Sequence, residues 1–248
     1  MMQGSPMLPC EACPLRSLPD IRDFTPDQLA WISRQKRTEL RHAAGETIIP
    51  EGSKDERFYT LLRGWAFRYK SLPDGRRQIL NILLPGDLVG LQAELMGASP
   101  HGIEALTDVS LCGFRRDMMW ELFRDHPPMA LDLTWLAAHG ERLTDDVLMS
   151  VGQRSGLERM AMLLVHIFRR AVSSGLKRAD GAVPFPLTQQ HIADVLGLSA
   201  VHTNRVLQVL RKQGLITLKE GALAIGDVRA LRRVAEYWEQ PAPARPIL

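Results

Sequence analysis

Short apolar runs, separated by glycine-bearing turns, fill residues 42–114 of the chain. Within 65–70, aromatic residues alternate with small or basic ones, which is the period-two pattern of a strand buried on one face. Asp74-Gly75 is typical of a tight hairpin turn, and the nearly all-apolar run 78–84 indicates a strand covered on both faces. Several short strands at regular spacing predict an antiparallel β-roll with a jelly-roll-like arrangement.

A different pattern begins after Pro127-Pro128, where apolar residues recur at alternating steps of four and three from Met129 to Ser150. Such a heptad-like stripe predicts a long helix that pairs with another helix, here the same helix of a second copy. The alternative is that the stripe packs against its own domain. The predicted dimer seam consists of Leu133, Leu136, Gly140, Leu143 and Val147.

Two short helices and a hairpin are predicted toward the C-terminal end of the chain. Thr188 stands where the N-cap of the first helix is expected, and Ser199 stands at the same place before the second. Gly197, between them, allows the positive φ that a tight turn requires. Beyond the second helix, the runs 215–218 and 222–225 predict a pair of short strands. This order is the pattern of a winged helix-turn-helix.

The second of these helices keeps small and polar side chains opposite its apolar stripe, as a recognition helix in the major groove requires. Arg205 can donate two parallel hydrogen bonds to guanine, and Val201 can pack on a thymine methyl group. Thr188, at the start of the first helix, can hold a phosphate. The alternative is an ordinary pair of packed helices that touches no DNA. The predicted DNA-contacting residues are Thr188, Gln189, Ser199, Ala200, Val201, His202, Asn204, Arg205 and Lys219.

Charge is unevenly distributed along the 248 residues, although the net charge is only +3. Residues 153–240 carry 13 Lys and Arg against 7 Asp and Glu, whereas residues 1–152 carry 17 against 21. A basic C-terminal part beside an acidic N-terminal part indicates different partners, and the basic part is the candidate for binding a polyanion. No apolar run is long enough to span a membrane and no secretory signal is evident, so a cytoplasmic protein without membrane contact is expected.

These patterns predict an α+β chain that is divided into five parts. They are an irregular cysteine-containing segment at 1–20, a β-roll sensor domain at 21–126, a dimerisation helix at 127–152, a winged helix-turn-helix domain at 153–240 and a flexible tail at 241–248.

Three cysteines are present, Cys10, Cys13 and Cys112. In a reducing cytosol a disulfide is not expected, so the Cys-x-x-Cys pair indicates metal binding, redox chemistry or no special role. Cys112, in an apolar strand, can equally be a buried core thiol.

In combination these segments resemble the Crp/Fnr superfamily of bacterial regulators. The resemblance covers nearly the whole chain. It rests on 187–199 and 201–205 for the helix-turn-helix, and on Gly45-Glu46, Glu51-Gly52, Phe58-Tyr59, Leu62-Arg63-Gly64 and Leu84-Pro85-Gly86-Asp87 for a cyclic-nucleotide-binding-type roll. It implies a homodimer on a two-fold symmetric operator, with one recognition helix in each major groove and half-sites about 34 Å apart. RNA polymerase is the further partner that the resemblance implies.

The chain departs from the family pattern at two functional places. Members that bind cyclic AMP hold the ribose with a Gly-Glu pair and the phosphate with an Arg-Ser or Arg-Thr pair, and the matching regions 89–92 and 98–102 lack both the glutamate and the arginine. Because a buried phosphate without a cation is costly, cyclic AMP is disfavoured as the ligand. Many members also place Glu where Val201 stands, so the operator is expected to differ at that base.

The cysteines partly resemble the oxygen-sensing branch, which holds a [4Fe–4S] cluster with three N-terminal cysteines and one in the roll. Cys10 and Cys13 match the Cys-x-x-Cys start and Cys112 matches the roll cysteine, whereas Pro19 stands at the spacing of the third. Because clusters usually need four ligands, three interpretations stay open: a cluster whose fourth ligand is Asp20, another side chain or an outside molecule; thiol redox chemistry; and no sensory role.

The other function classes considered are a cupin-like enzyme and a small-molecule-binding module without a role in gene control. The seven histidines form no His-x-His pair or other recognisable metal-ligand spacing, and no phosphate loop or nucleophile elbow is present. The sequence therefore favours a DNA-binding transcription regulator over an enzyme.

Overall fold

The computed structural model describes residues 7–18, 20–54, 57–92, 97–237 and 244–247. The chain forms two compact units. The first, here called the sensor unit, contains the chain through Ala66, Leu83–Gly140 and the C-terminal segment from Pro243. The second, here called the DNA-binding unit, contains Phe67–Ile82 and Glu141–Ala242. The predicted α+β class, with strands first and a winged helix-turn-helix last, is confirmed.

Among the described residues the helices are α1 (Pro26–Gln35), α2 (Met118–Asp125), α3 (Pro127–Gln153), α4 (Gly156–Ser173), α5 (Gln189–Leu196), α6 (Ala200–Lys212) and α7 (Val228–Val234). Two short 3₁₀ turns precede them, at Cys10–Ala12 and Pro14–Ser17.

The strands are β1 (Ile21–Arg22), β2 (Lys36–His42), β3 (Thr47–Ile49), β4 (Arg57–Arg63), β5 (Ala66–Ser71), β6 (Arg77–Leu83), β7 (Leu88–Val89), β8 (Gly102–Ala105), β9 (Val109–Arg115), β10 (Val183–Pro184), β11 (Ile216–Lys219), β12 (Ala222–Ile225) and β13 (Arg245–Pro246).

The sensor unit contains the greater part of the predicted roll. One antiparallel sheet has the order β2-β9-β4-β7, and β3 pairs with β8. Leu111 of β9 lies opposite Leu40 on one side and Leu61 on the other. These apolar pairs face a core that includes Tyr59 and Ile103, both 1% exposed. Residues 109–114 of β9 are all buried, so this strand is covered on both faces of the sheet.

A second apolar cluster of the sensor unit joins the helices to the sheet. Trp31 of α1, Phe114 of β9 and Leu122 of α2 lie in it, together with Leu133 and Leu136 from the first half of α3. Helix α1 starts with a capping box in which Thr25 and Gln28 satisfy each other's backbone amides. The first half of α3 is therefore a core element of its own chain.

The DNA-binding unit packs its helices around α4. Helix α4 buries eight residues, among them Met160, Leu164 and Ile167, and begins with a capping box of Ser155 and Glu158. A three-stranded sheet of order β10-β12-β11 completes this fold. The β5–β6 hairpin belongs to the same compact unit, although the sequence assigned it to the sensor domain. Its turn at Gly75 has a φ of 85°, as the Asp-Gly pattern predicted.

The C-terminal tail differs from the prediction. Residues 241–243 and 248 lie outside the described residues, but Arg245–Pro246 form strand β13 beside β1, and Ile247 is 4% exposed in the core of the sensor unit. The segment 244–247 is thus an ordered part of the sensor unit rather than a flexible tail, because backbone pairing and apolar burial both hold it.

Within the part of the chain that the structure describes, no helix has the length and apolar character needed to cross a membrane.

Candidate DNA-binding interface and sensor site

Helix α5 begins with a reciprocal cap. The Thr188 hydroxyl accepts a hydrogen bond from the backbone amide of His191 at 3.1 Å, and Nδ1 of His191 accepts one from the amide of Thr188 at 3.3 Å. Nδ1 can accept only when the imidazole is neutral. Burial, aided by the nearby Arg77 guanidinium, lowers the pKa of His191, whereas Asp194 opposes this shift. The neutral form that caps the helix is therefore favoured.

The turn between α5 and α6 has the geometry that the sequence predicted. Gly197 has a φ of 63°, in the left-handed region that side-chain-bearing residues avoid. Ser199 then caps α6 by accepting a hydrogen bond from the amide of His202 at 3.2 Å. These local interactions fix where the recognition helix begins.

Helix α6 separates into two faces. Thr203, Val206, Leu207 and Leu210 are buried against the unit. The opposite face is exposed, and Val201 leaves 73% of its surface open. All nine predicted DNA-contacting residues are exposed: Thr188, Gln189, Ser199, Ala200, Val201, His202, Asn204, Arg205 and Lys219. A helix face that stays open, next to capped N-termini, suits insertion into a major groove.

Sequence reasoning missed two residues on this open face. Gln208 follows Asn204 by four positions and Lys212 follows Gln208 by four, and both are exposed. Residues four apart lie on one side of a helix. Continuing the helical period past Arg205 would have found them.

His202 is exposed like the other predicted contacts, and its ring lies near the start of α4. A Cβ atom built on Gly156, at the first position of α4, would lie 2.8 Å from its Nε2, a contact that rotation of the exposed imidazole relieves. His202 therefore stays a predicted contact.

The predicted wing is an antiparallel hairpin in which β11 pairs with β12, with Lys219 opposite Ala222. Glu220 and Gly221 in its turn have φ angles of 51° and 66°, as in a type I′ turn. Lys219 lies 3.4 Å from Glu220, and both side chains are about four-fifths exposed. Lys219 is thus accessible to a phosphate, with an acidic neighbour that reduces its local field.

The β5–β6 hairpin supports α5 from within the same unit. The Arg77 guanidinium lies 3.0 Å from the Asp194 carboxylate, and Nε2 of Gln78 donates to the carbonyl of Val195 at 3.0 Å. The guanidinium also lies over the ring of Phe67, 4.7 Å from its centroid. No sequence pattern predicts the contacts between this hairpin and α5, because the partners are more than 110 positions apart.

The predicted dimer seam needs correction at three positions. Leu133, Leu136 and Leu143 are 2%, 6% and 3% exposed within a single chain. Side chains that are already buried cannot form a surface for a second copy, so the alternative of packing within the chain holds for these three. Gly140 and Val147 are half-buried.

A different stripe of α3 is open. Its exposed positions are spaced by alternating steps of three and four, and they are Leu131, Thr134, Ala138, Glu141, Asp145, Leu148 and Gly152. Leu131 and Leu148 each leave 70% of their surface exposed, and Met149 leaves 56%. Exposed leucines at coiled-coil spacing are the usual mark of a helix that pairs with another.

The three cysteines gather around one buried lysine. Cys112 of β9 lies opposite Glu39 of β2, and Nζ of Lys36 lies 3.4 Å from the Glu39 carboxylate and 2.7 Å from the carbonyl of Leu8. Burial raises the pKa of Cys112 to about 11, although the Lys36 ammonium beside it opposes the shift. Burial also raises the pKa of Cys13, which interacts with Cys10 and Lys36.

This donor set does not fit a four-thiolate cluster. Only three thiols are available, and a lysine ammonium, rather than a fourth ligand, lies among them. Over the described ranges, no group of three or more His, Cys, Asp or Glu side chains is arranged to hold a metal ion. Pro19, which stands at the spacing of the missing third cysteine, lies outside the described residues, and Asp20, named as a possible fourth ligand, is exposed.

Two residues of the region that corresponds to a cyclic-nucleotide site, Ser99 and Gly90, lie close to other parts of their own chain. Ser99 is 2% exposed and its hydroxyl donates to the carbonyl of His101 at 2.7 Å. At Gly90 a Cβ atom would lie 3.1 Å from the Ile49 side chain. The hydroxyl that could face a phosphate is thus already engaged within the chain.

Comparison with known proteins agrees with this geometry. The cyclic nucleotide-binding domain family matches residues 39–126, and the Crp-like helix-turn-helix domain family matches residues 158–234. The nitrogen fixation regulation protein FixK of Bradyrhizobium diazoefficiens is 31% identical over 79% of this chain and 81% of its own length. The transcriptional activator protein FnrL of Cereibacter sphaeroides is 29% identical over 85% and 84%, respectively.

Among solved structures, FixK2 from Bradyrhizobium japonicum superposes with a TM-score of 0.72 at 28% identity, covering 79% of this chain and 96% of that one. A sensor roll followed by a long helix and an open recognition helix defines a DNA-binding transcription regulator. The chain belongs to the Crp/Fnr superfamily of such regulators.

Proposed function

We propose that the chain binds DNA sequence-specifically as a homodimer on a two-fold symmetric operator. The observation that carries the proposal is the open face of α6, on which Arg205 is exposed beside Val201 and Asn204. Arg205 donates two hydrogen bonds to a guanine, and Val201 packs on a thymine methyl group. Thr188 and Gln189 hold a phosphate at the start of α5, and Lys219 of the wing meets the DNA backbone.

The second copy meets the first along the exposed stripe of α3. This assignment is supported by the spacing of the open positions and by Leu131 and Leu148, which are otherwise costly to leave in water. Two-fold pairing brings one recognition helix to each of two half-sites, about 34 Å apart. RNA polymerase is the partner expected once the dimer is on DNA, and the protein acts in the cytoplasm.

The test is Arg205→Ala, with operator affinity and base preference measured by fluorescence anisotropy at fixed salt. Loss of a two-hydrogen-bond contact costs about 1–3 kcal/mol and relaxes the preference at one base pair. Arg229→Ala is the matched control, since it removes the same charge from an exposed position of α7. If Arg205→Ala binds as tightly and as selectively as the parent, α6 is not the recognition helix.

For the sensor unit we propose that the chain does not carry the four-cysteine iron-sulfur cluster of the oxygen-sensing branch. The chain has only three cysteines, and the Lys36 ammonium lies among their thiols where a fourth ligand would be needed, which supports this. Protein purified without oxygen is expected to be colourless and to contain no stoichiometric iron. A brown, iron-bearing sample that bleaches in air contradicts the proposal and identifies a cluster with an outside fourth ligand.

A further inference from the structure

The segment 244–247 follows the DNA-binding unit in the chain, yet it is built into the sensor unit. Strand β13 runs parallel to β1, with Arg245 opposite Ile21 and Pro246 opposite Arg22. The amide of Arg245 donates to the carbonyl of Asp20 at 2.8 Å. Chain ends usually fray unless contacts of this kind hold them.

The side chain of Arg245 makes a largely buried ion pair. Its Nη2 lies 2.6 Å from the Asp87 carboxylate and 2.7 Å from the carbonyl of Gly86. The two side chains are 18% and 7% exposed. Asp87 also accepts a hydrogen bond from the amide of Leu84 at 2.7 Å, which fixes the carboxylate in its turn. Removing one partner of such a pair leaves the other charge buried and uncompensated.

Ile247 provides a third, apolar anchor. It is 4% exposed in the same cluster as Leu15 and Trp31, and Ile21 and Cys13 pack against that cluster. Backbone pairing, an ion pair and apolar burial thus coincide within four residues. Arg22, on the strand that receives the tail, also forms an ion pair with Asp132 of α3.

We propose that residues 244–247 are a strap, a docked segment that ties the C-terminal end of the DNA-binding unit to the sensor unit, in addition to the chain connections at residues 66–67, 82–83 and 140–141. The inference rests on the proposed function, because its consequence is read as operator affinity. Each additional tether lowers the orientational freedom that the DNA-binding unit has to lose when both half-sites are engaged. The receiving strand β1 follows the segment that contains Cys10 and Cys13, so a change in that segment reaches the strap directly.

The experiment compares the full chain with a chain that ends at residue 243, and it uses two measurements. Hydrogen exchange reports whether the amides of Ile21, Arg22 and Asp87 lose protection when the strap is absent. Anisotropy with operator DNA reports affinity, which is expected to fall about fivefold or more. Arg245→Ala reproduces both effects in weaker form, and Arg229→Ala changes neither.

A synthetic peptide with the sequence of residues 243–248 separates a tether from a merely structural role. Added to the shortened chain, it is expected to restore the protection of the amides of Ile21, Arg22 and Asp87 but not the operator affinity, because the covalent connection is missing. Recovery of affinity with the peptide, an unchanged or raised affinity after shortening, or unchanged protection would each overturn the strap. Failure of the full chain itself to bind the operator would instead contradict the proposed function.

Discussion

Helices α6 and α3 are both predicted from apolar residues at helical spacing. Only for α6 does the prediction identify correctly what covers the apolar face. In α6 the apolar stripe packs on its own unit and the opposite face stays open. In α3 the apolar stripe was assigned to a second copy, whereas Leu133, Leu136 and Leu143 are buried within the chain. An apolar stripe thus shows that one face of a helix is buried, but it does not identify what covers that face.

The open faces of the two helices differ in composition. The face of α6 carries Arg205, Asn204 and Gln208, which suit the edges of base pairs. The stripe of α3 mixes Leu131 and Leu148 with acidic and small residues. Such a mixture has a weak hydrophobic signal in the sequence, which is why burial within the chain had to be known before the stripe could be recognised.

The largest effect is expected for Leu133→Ala. If Leu133 belongs to the core of the sensor unit, truncation leaves a cavity and lowers the free energy of unfolding by about 2–5 kcal/mol. Urea denaturation at several protein concentrations measures it. Leu72→Ala, at a position outside α3 that is 51% exposed, is the matched control and has a much smaller effect. Equal losses for the two variants would contradict the assignment of Leu133 to the core of its own chain.

Leu148→Asp tests the open stripe. A carboxylate forced into a helix–helix contact, close to Asp145, is expected to raise the dissociation constant of the dimer about 10- to 100-fold. Sedimentation equilibrium measures this constant. Leu72→Asp makes the same change at an exposed position of the β5–β6 hairpin, where 51% of the side chain is open, and leaves the dimer intact. A dimer that tolerates Leu148→Asp places the contact elsewhere.

The smallest effect is expected for the pH dependence of the free energy of unfolding, through the cap of α5 that His191 forms. Because burial lowers the pKa of His191 below its ordinary value of 6.5, the unfolded chain takes up a proton first as the pH falls. Stability that is present at neutral pH is therefore lost below about pH 6.5. His191→Gln keeps a capping side chain that does not titrate. Unfolding free energies between pH 5 and 7.5 should fall less steeply for this variant than for the parent, and parallel curves would exclude the effect.

The region of the three cysteines shows that a sequence motif does not reveal which other groups lie beside it in the folded chain. Cys10, Cys13 and Cys112 matched part of a cluster pattern, and the sequence left three interpretations open. Lys36 lies 76 positions from Cys112 and carries no motif of its own. Only the pairing of β2 with β9 brings the lysine to the thiols. The position of a charge relative to a ligand set depends on the pairing of strands that are distant in the sequence, and no local sequence pattern encodes that pairing.

The sequence by itself determined the features that depend on neighbouring residues: the caps at Thr188 and Ser199, the left-handed turn at Gly197, and the two-faced recognition helix. These follow from hydrogen bonds and steric limits that act within a few positions. The tertiary structure alone decided which chain element covers the stripe of α3, that the β5–β6 hairpin supports α5, and that residues 244–247 dock on β1. Some of these contacts join residues that are more than 200 positions apart. Their free energy comes from burial and ion pairing that no local pattern encodes.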